Sequence, residues 1–132
     1  VYMTRTEDVT STADDKTNML RKIKPDYCIA IHHDSNNSSS LNGIGVYYYY
    51  PFSKKAAKYV LDCSYDTGIY KNKRFKWHYY YTSRVSVCPV VLTENGYYSN
   101  NYDYNNIISN TKTDSKAVAI TKGIVKYFKS IQ

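Results

Sequence analysis

At 132 residues the chain has room for one domain with one sizeable core and excludes a multi-domain assembly. Its formal net charge of +7 is compatible with nucleic acid, anionic membrane or anionic wall polymer, and does not choose among them. Three cysteines, far apart and without a C-x-x-C spacing, argue against a disulfide framework and read as free thiols. No run reaches the roughly 18 apolar residues of a membrane span. The 17 tyrosines suit sugar and peptide binding, because the ring stacks while the hydroxyl hydrogen-bonds. With so much Asn, Lys and Ile beside them, they reflect an AT-rich genome just as readily.

In chain order, Val1 to Thr4 reads as a short strand already under way, so further sequence is expected upstream; no secretory leader is recognisable. Val9 to Lys24 reads as a helix stopped by Pro25, with Ala13, Asn18, Leu20 and Ile23 towards the inside. Tyr27 to Ile31 is a continuous apolar run, the mark of a strand covered on both faces. A Ser/Asn-rich surface loop follows, from Asp34 to Gly43, and then a strand from Ile44 to Tyr49.

Ser53 is placed to cap a helix through Cys63, with Ala56, Ala57, Val60 and Leu61 on one side. Lys71 to Arg84 is basic and aromatic and spans a loop and a strand. Val90 to Thr93 reads as a buried strand, and Asp103 as the cap of a short helix through Ser109. A last helix from Asp114 to Ile131 carries Ala117, Ile120, Ile124, Phe128 and Ile131 as its stripe. Strands alternating with helices give an α/β domain with a mostly parallel sheet flanked by helices.

Two constellations follow buried strands: Ile31-His32-His33-Asp34, and Leu92-Thr93-Glu94-Asn95-Gly96-Tyr97. Catalytic groups of open α/β sheets gather at the carboxyl ends of strands. Imidazole to hold a metal and carboxylate to move protons are what a hydrolytic zinc site needs. One His and one Glu do not complete such a site, since catalytic zinc usually has three protein ligands. Taken singly, the histidine is better explained as a hydrogen-bonded structural residue and the glutamate as a solvated rim charge. His33 follows His32 and so points to the opposite face; His78 reads as a surface or groove residue.

The wording of several segments resembles the zinc amidases of the Amidase_3 family. Thr4-Arg5-x-x-Asp8 resembles T-R-x-x-D, and Asp26 to Asp34 (DYCIAIHHD) resembles A-D-x-x-[IV]-S-[IL]-H-x-N. Asn42 to Tyr48 resembles the G-x-x-[VT]-[YF]-Y strand, and Asn72 to Lys76 loosely resembles N-R-G-x-K. Pro89 to Asp103 (PVVLTENGYYSNNYD) resembles P-[AS]-[VI]-L-[VI]-E-x-G-F-[LI]-S-N-x-x-D and is the most specific block.

The resemblance implies an N-acetylmuramoyl-L-alanine amidase of bacterial peptidoglycan, an autolysin or a phage or prophage lysin, working outside the cell or in the wall. It implies one zinc held by His, Glu and His, with a further Glu as general base. His32 matches the second liganding His and Glu94 the catalytic Glu. The first His and the liganding Glu belong upstream of Thr4, so residues 1–132 are expected to form a partial catalytic domain with an incomplete zinc site. Asn72, Arg74, Lys76 and Arg84 are candidates for contact with the peptide stem or the anionic wall; for the basic three, a solvated basic face is an equal alternative. Asn100 and Asp103 are expected to fix the loop and helix after Glu94. Departures include Asp34 for Asn, Ala30 for Ser, Arg74 for Gly and Tyr97 for Phe.

Two other functions are weighed. One is an inert remnant that only binds cell wall. The other is a basic aromatic nucleic-acid binder built on Lys71 to Arg84, which leaves the His32 and Glu94 blocks unexplained; nucleic acid is therefore not an expected partner. Oligomeric state is not legible.

Overall fold

The computed structural model describes residues 1–132. Helix α1 spans Ala13–Ile23, strand β1 Cys28–Asp34, β2 Ile44–Tyr48, helix α2 Pro51–Tyr65, β3 Lys73–Trp77, β4 Val90–Tyr97, α3 Asn101–Ile107 and α4 Asn110–Lys129; a 3-10 turn covers Thr82–Arg84. The four strands lie in the order β1-β4-β2-β3. β1 runs parallel to β4, β2 runs parallel to β3, and the two pairs meet antiparallel between β2 and β4. The expected mostly parallel α/β sheet is present.

The helix boundaries have local causes. Thr12 and Asp15 form a reciprocal capping box, with Asp15 N–H donating to Thr12 Oγ1 at 3.1 Å and Thr12 N–H donating to Asp15 Oδ2 at 2.9 Å. This box starts α1 later than Val9. Lys24 ends it in the left-handed conformation, φ 50°, directly before Pro25. In α2, Pro51 at the first helical position starts the helix. Ser53 is therefore buried inside the helix rather than capping it, and its Oγ accepts from Val90 N–H at 3.1 Å. Asn100, not Asp103, caps α3, and Ser109 caps α4. Val1 to Thr4 form no strand, since β-prone residues need a neighbouring ladder and none of the four strands pairs with them.

One face of the sheet carries Ile44, Val46 and Val91, which join Ala56, Ala57 and Leu61 of α2 and Tyr127 of α4 in a single buried cluster. Each fully buried branched side chain there contributes about 1.5–3 kcal/mol. The buried stripe of α4 is Lys116, Ala119, Ile120, Gly123 and Tyr127; of the expected stripe Ile120 is buried and Phe128 packs against the core, whereas Ala117 and Ile131 are exposed and Ile124 is only half-buried. Gly123 sets the phase. A Cβ there would lie 2.6 Å from the Val60 Cα, so α4 turns its glycine, not Ile124, onto α2. On the other face, the Thr82–Arg84 turn packs on β4, and α1 packs on that turn.

Candidate active site

A single transverse row crosses all four strands. His32 of β1 is the register partner of Glu94 of β4, Glu94 is the partner of Gly45 of β2, and Gly45 is the partner of Arg74 of β3. Register partners in a pleated sheet project to the same face. With strands about 4.8 Å apart, the His32 and Glu94 backbones are one spacing apart. His32 and Glu94 lie within β1 and β4 rather than after them, because both strands continue beyond the apolar runs that reveal them.

Glu94 is only 8% exposed, and its Oε2 has no hydrogen-bond partner. Burial, and then the nearby Asp34 carboxylate, push its pKa up to about 7. A carboxylate of this kind exchanges a proton near neutral pH, which is the property of a general base. His32 is exposed, yet partial desolvation and then the Lys16 ammonium lower its pKa. That favours neutral imidazole, the form that binds metal. Behind the pair, the buried Asn95 amide donates to the His32 carbonyl at 3.1 Å and to Thr93 Oγ1 at 2.8 Å, and it accepts from Tyr70 Oη at 3.3 Å. It ties β1 to β4 at the level of the pair.

Beyond His32 and Glu94 the ladder slips. Asp34 pairs with Tyr97, so β4 has one more residue than β1 over this step. The bulge centres on Gly96, φ +113°, a conformation open mainly to glycine. The slip returns Tyr97 to the face shared by His32, Glu94 and Asp34. Tyr97 Oη accepts from the Arg74 guanidinium, whose carbon lies 5.0 Å from the Tyr97 ring centre. In the antiparallel ladder Gly45 leaves a gap, and the ring of buried Tyr47 fills it: a Cβ at Gly45 would meet that ring at 2.7 Å. Tyr80 packs edge-on against Tyr47, with ring centres 5.4 Å apart. Burial first, then Tyr47, Glu94 and Asp34, push the Tyr80 phenol up to about 12. Glu94 thus sits in a wall of phenols with one guanidinium.

Of the sequence candidates, His32, Glu94 and Arg74 share the row. Lys76 follows on the same face of β3, exposed and opposite Tyr47. Asn72 lies before β3, where its amide donates to Asn42 Oδ1 at 2.7 Å. Arg84 is not in the row: its guanidinium donates to Tyr79 Oη at 3.1 Å and lies over the rings of Tyr79 and Tyr81. His33 projects to the other face and packs on Tyr98, with ring centres 5.4 Å apart, as alternation requires. His78 stacks on Tyr80 at 4.0 Å. Asn100 and Asp103 are structural. The Asp103 carboxylate accepts from Gly43 N–H at 2.7 Å and Tyr97 N–H at 3.0 Å. Sequence reasoning missed Tyr47 and Tyr80. Their only signal was Gly45 within an aromatic strand, and it has meaning only once the register is known.

The site does not fit a complete zinc centre. His32 has Glu94 and Asp34 as neighbours, but no group of three or more His, Cys, Asp or Glu side chains is arranged to hold a metal. A zinc ion would need donors from outside these residues.

The family model described as N-acetylmuramoyl-L-alanine amidase, Amidase_3, matches residues 1–126. The chain belongs to the Amidase_3 family. It is 32% identical over 130 residues to the probable cell wall amidase LytH of Staphylococcus epidermidis, covering 98% of this chain and 43% of that protein. It is 34% identical over 128 residues to the probable cell wall amidase LytH of Staphylococcus saprophyticus, covering 97% and 42%. The chain therefore spans less than half the length of these curated relatives. Among solved structures, the catalytic domain of CwlV, an N-acetylmuramoyl-L-alanine amidase from Bacillus (Paenibacillus) polymyxa, superposes with a TM-score of 0.90 at 24% identity, covering 96% of this chain and 70% of that one. AmiC2 of Nostoc punctiforme superposes with a TM-score of 0.83 at 25% identity, covering 91% and 67%. The fold of this chain is that of amidase catalytic domains.

Proposed function

We propose that residues 1–132 form part of the catalytic domain of a zinc-dependent N-acetylmuramoyl-L-alanine amidase that acts on peptidoglycan outside the cell. The observation that supports this most is the buried Glu94 carboxylate, with its free Oε2 and raised pKa, beside His32 at one end of a family-typical sheet.

In this reading Glu94 takes a proton from the water that attacks the lactyl amide carbonyl and returns it to the departing L-alanine amine. The C–N bond breaks, the lactyl carbon gains the hydroxyl, and the amine gains the proton. Burial keeps Glu94 basic enough for the first step and acidic enough for the second. Arg74 and Lys76 on β3, and Asn72 just before β3, are the candidates for contact with the peptide stem, and Arg74 offers a charge for a stem carboxylate. Arg84 is the weakest of the substrate candidates, since it lies outside the row that carries His32, Glu94 and Arg74. His32 is the one metal ligand offered by this chain, and the remaining donors come from outside it.

A second reading, a wall-binding chain without catalysis of its own, is favoured by the missing metal cluster. Both expect little turnover from the isolated chain, and they separate in a longer product that binds zinc, where the first expects amide cleavage and the second expects none. Purified chain, with added zinc, is incubated with peptidoglycan, and new L-alanine amino termini are counted. Release far below that of a complete amidase is expected for the isolated chain; a normal amidase rate would show that His32 and Glu94 suffice without further donors.

A further inference from the structure

On the side of the sheet opposite the Glu94 row, a groove of about 650 Å³ runs between α2 and β3, lined by Lys54, Lys55, Lys58, Tyr59 and Phe75 among others. It adjoins a second hollow of about 470 Å³, where Tyr49, Tyr50 and Trp77 gather around the start of α2. Pro51 and Lys54 line both, so the two are contiguous and make one open surface channel along α2. Phe75 and Trp77 alternate with Arg74 and Lys76 along β3, which places the channel away from the proposed catalytic face.

The channel has two chemistries. Its upper end is an exposed aromatic platform, in which Trp77 (56% exposed) and Tyr49 have ring centres 5.6 Å apart and planes tilted by 35°. Its length is a row of ammonium groups at helical spacing, Lys54 and Lys55 followed by Lys58. Asp62 neutralises Lys58, and the Lys55 ammonium donates to the Ser130 carbonyl at 3.0 Å. Lys54 has no partner. Lysines in the first half of a helix oppose its macrodipole, and α2 has no acidic residue in its first turn to offset them. The helix therefore carries cations where its own electrostatics disfavour them, facing a channel that an anion would fill.

We propose that this channel binds peptide-free glycan strands, the other product of the amide hydrolysis assigned above. A pyranose ring presents a face of C–H groups that stacks on Trp77 and Tyr49. Hydrolysis leaves each lactyl group as a carboxylic acid, ionised above about pH 3.5 as ordinary carboxyls are, and that carboxylate meets Lys54. The uncut strand carries a neutral amide at the same position. This proposal rests on the amidase reading for the identity of its ligand but not on catalysis by this chain.

Trp77 is the only tryptophan, so its fluorescence reports on the platform alone. The intact chain is titrated with peptide-free glycan strands prepared by an unrelated amidase, with the same strands after their carboxylates are amidated, with neutral N-acetylglucosamine oligomers, and with inorganic polyphosphate. A saturable change is expected with the peptide-free strands, weakened at least about tenfold by amidation, by Lys54→Glu, or by raised salt. Lys54 is exposed on the helix surface, and circular dichroism of the variant checks its fold. Equal binding of the amidated strands, tighter binding of polyphosphate, no effect of Lys54→Glu in a folded variant, or no change at all would each overturn the proposal. No amide bond is present in these ligands, so a failed hydrolysis assay and a failed titration remain separate results.

Discussion

Gly45 and Glu94 face one another across the antiparallel β2–β4 ladder, and the missing side chain at Gly45 gives the Tyr47 ring its place beside the carboxylate. A methyl group at position 45 would overlap that ring at 2.7 Å, and Tyr47 is held by His78 and Tyr80, with ring centres 5.8 and 5.4 Å away. Gly45→Ala is expected to lower stability by about 1–2 kcal/mol through overpacking, with loss of the Tyr47–Tyr80 contact. Urea denaturation measures it, and an unchanged midpoint would show that Tyr47 swings away freely.

Glu94 makes the stability of the metal-free chain depend on pH. Its folded pKa of about 7 lies above the ordinary glutamate value of 4.5, so between those values the folded state holds a proton that the unfolded state has released. Stability therefore falls as pH rises from about 4.5 to about 7 and levels off above. Glu94→Gln removes this slope and is expected to raise stability at pH 8 by about 2 kcal/mol. Parallel denaturant melts of both proteins at pH 5 and pH 8 test it; the same pH dependence in the variant contradicts the assignment.

Gly123 is where α4 meets α2. The neighbour is the backbone of Val60, at 2.6 Å from a built Cβ, and backbone cannot yield as a side-chain end can. Gly123→Val is expected to destabilise by about 2–3 kcal/mol, despite valine's better helix propensity. Thermal melting checks the direction: a variant as stable as the parent would mean that the helices separate at no cost.

The chain's apolar runs and chain-local signals made the sheet, the helices and the His32–Glu94 pair readable in advance. β1 and β4 are parallel, so residues after two apolar runs had to arrive at the same end, although β1 is an edge strand and only half-buried where a strand covered on both faces was expected. What escaped depends on register and close approach. Tyr97 shares the Glu94 face only because of the bulge at Gly96, whereas simple alternation would have sent it to the other side. Tyr47 and Tyr80 depend on which residue faces Glu94 across β2. Part of the α4 stripe was misplaced because periodicity favours Ile124 as a core residue, while the contact with Val60 demands a glycine. Ser53 reads as a cap by residue type, but Pro51 had already set the start of α2.

The division of labour between His32 and Glu94 is the centre of this account. In a longer gene product that carries these residues and binds zinc, His32→Ala and Glu94→Ala are compared with the parent for zinc content and for release of L-alanine amino termini from peptidoglycan. The expected result is that His32→Ala loses metal and activity together. Glu94→Ala keeps its zinc and loses activity by a factor of about 10²–10⁴, the usual contribution of a general base. A Glu94→Ala protein with bound zinc and near-normal turnover would contradict the assignment of Glu94 as the base.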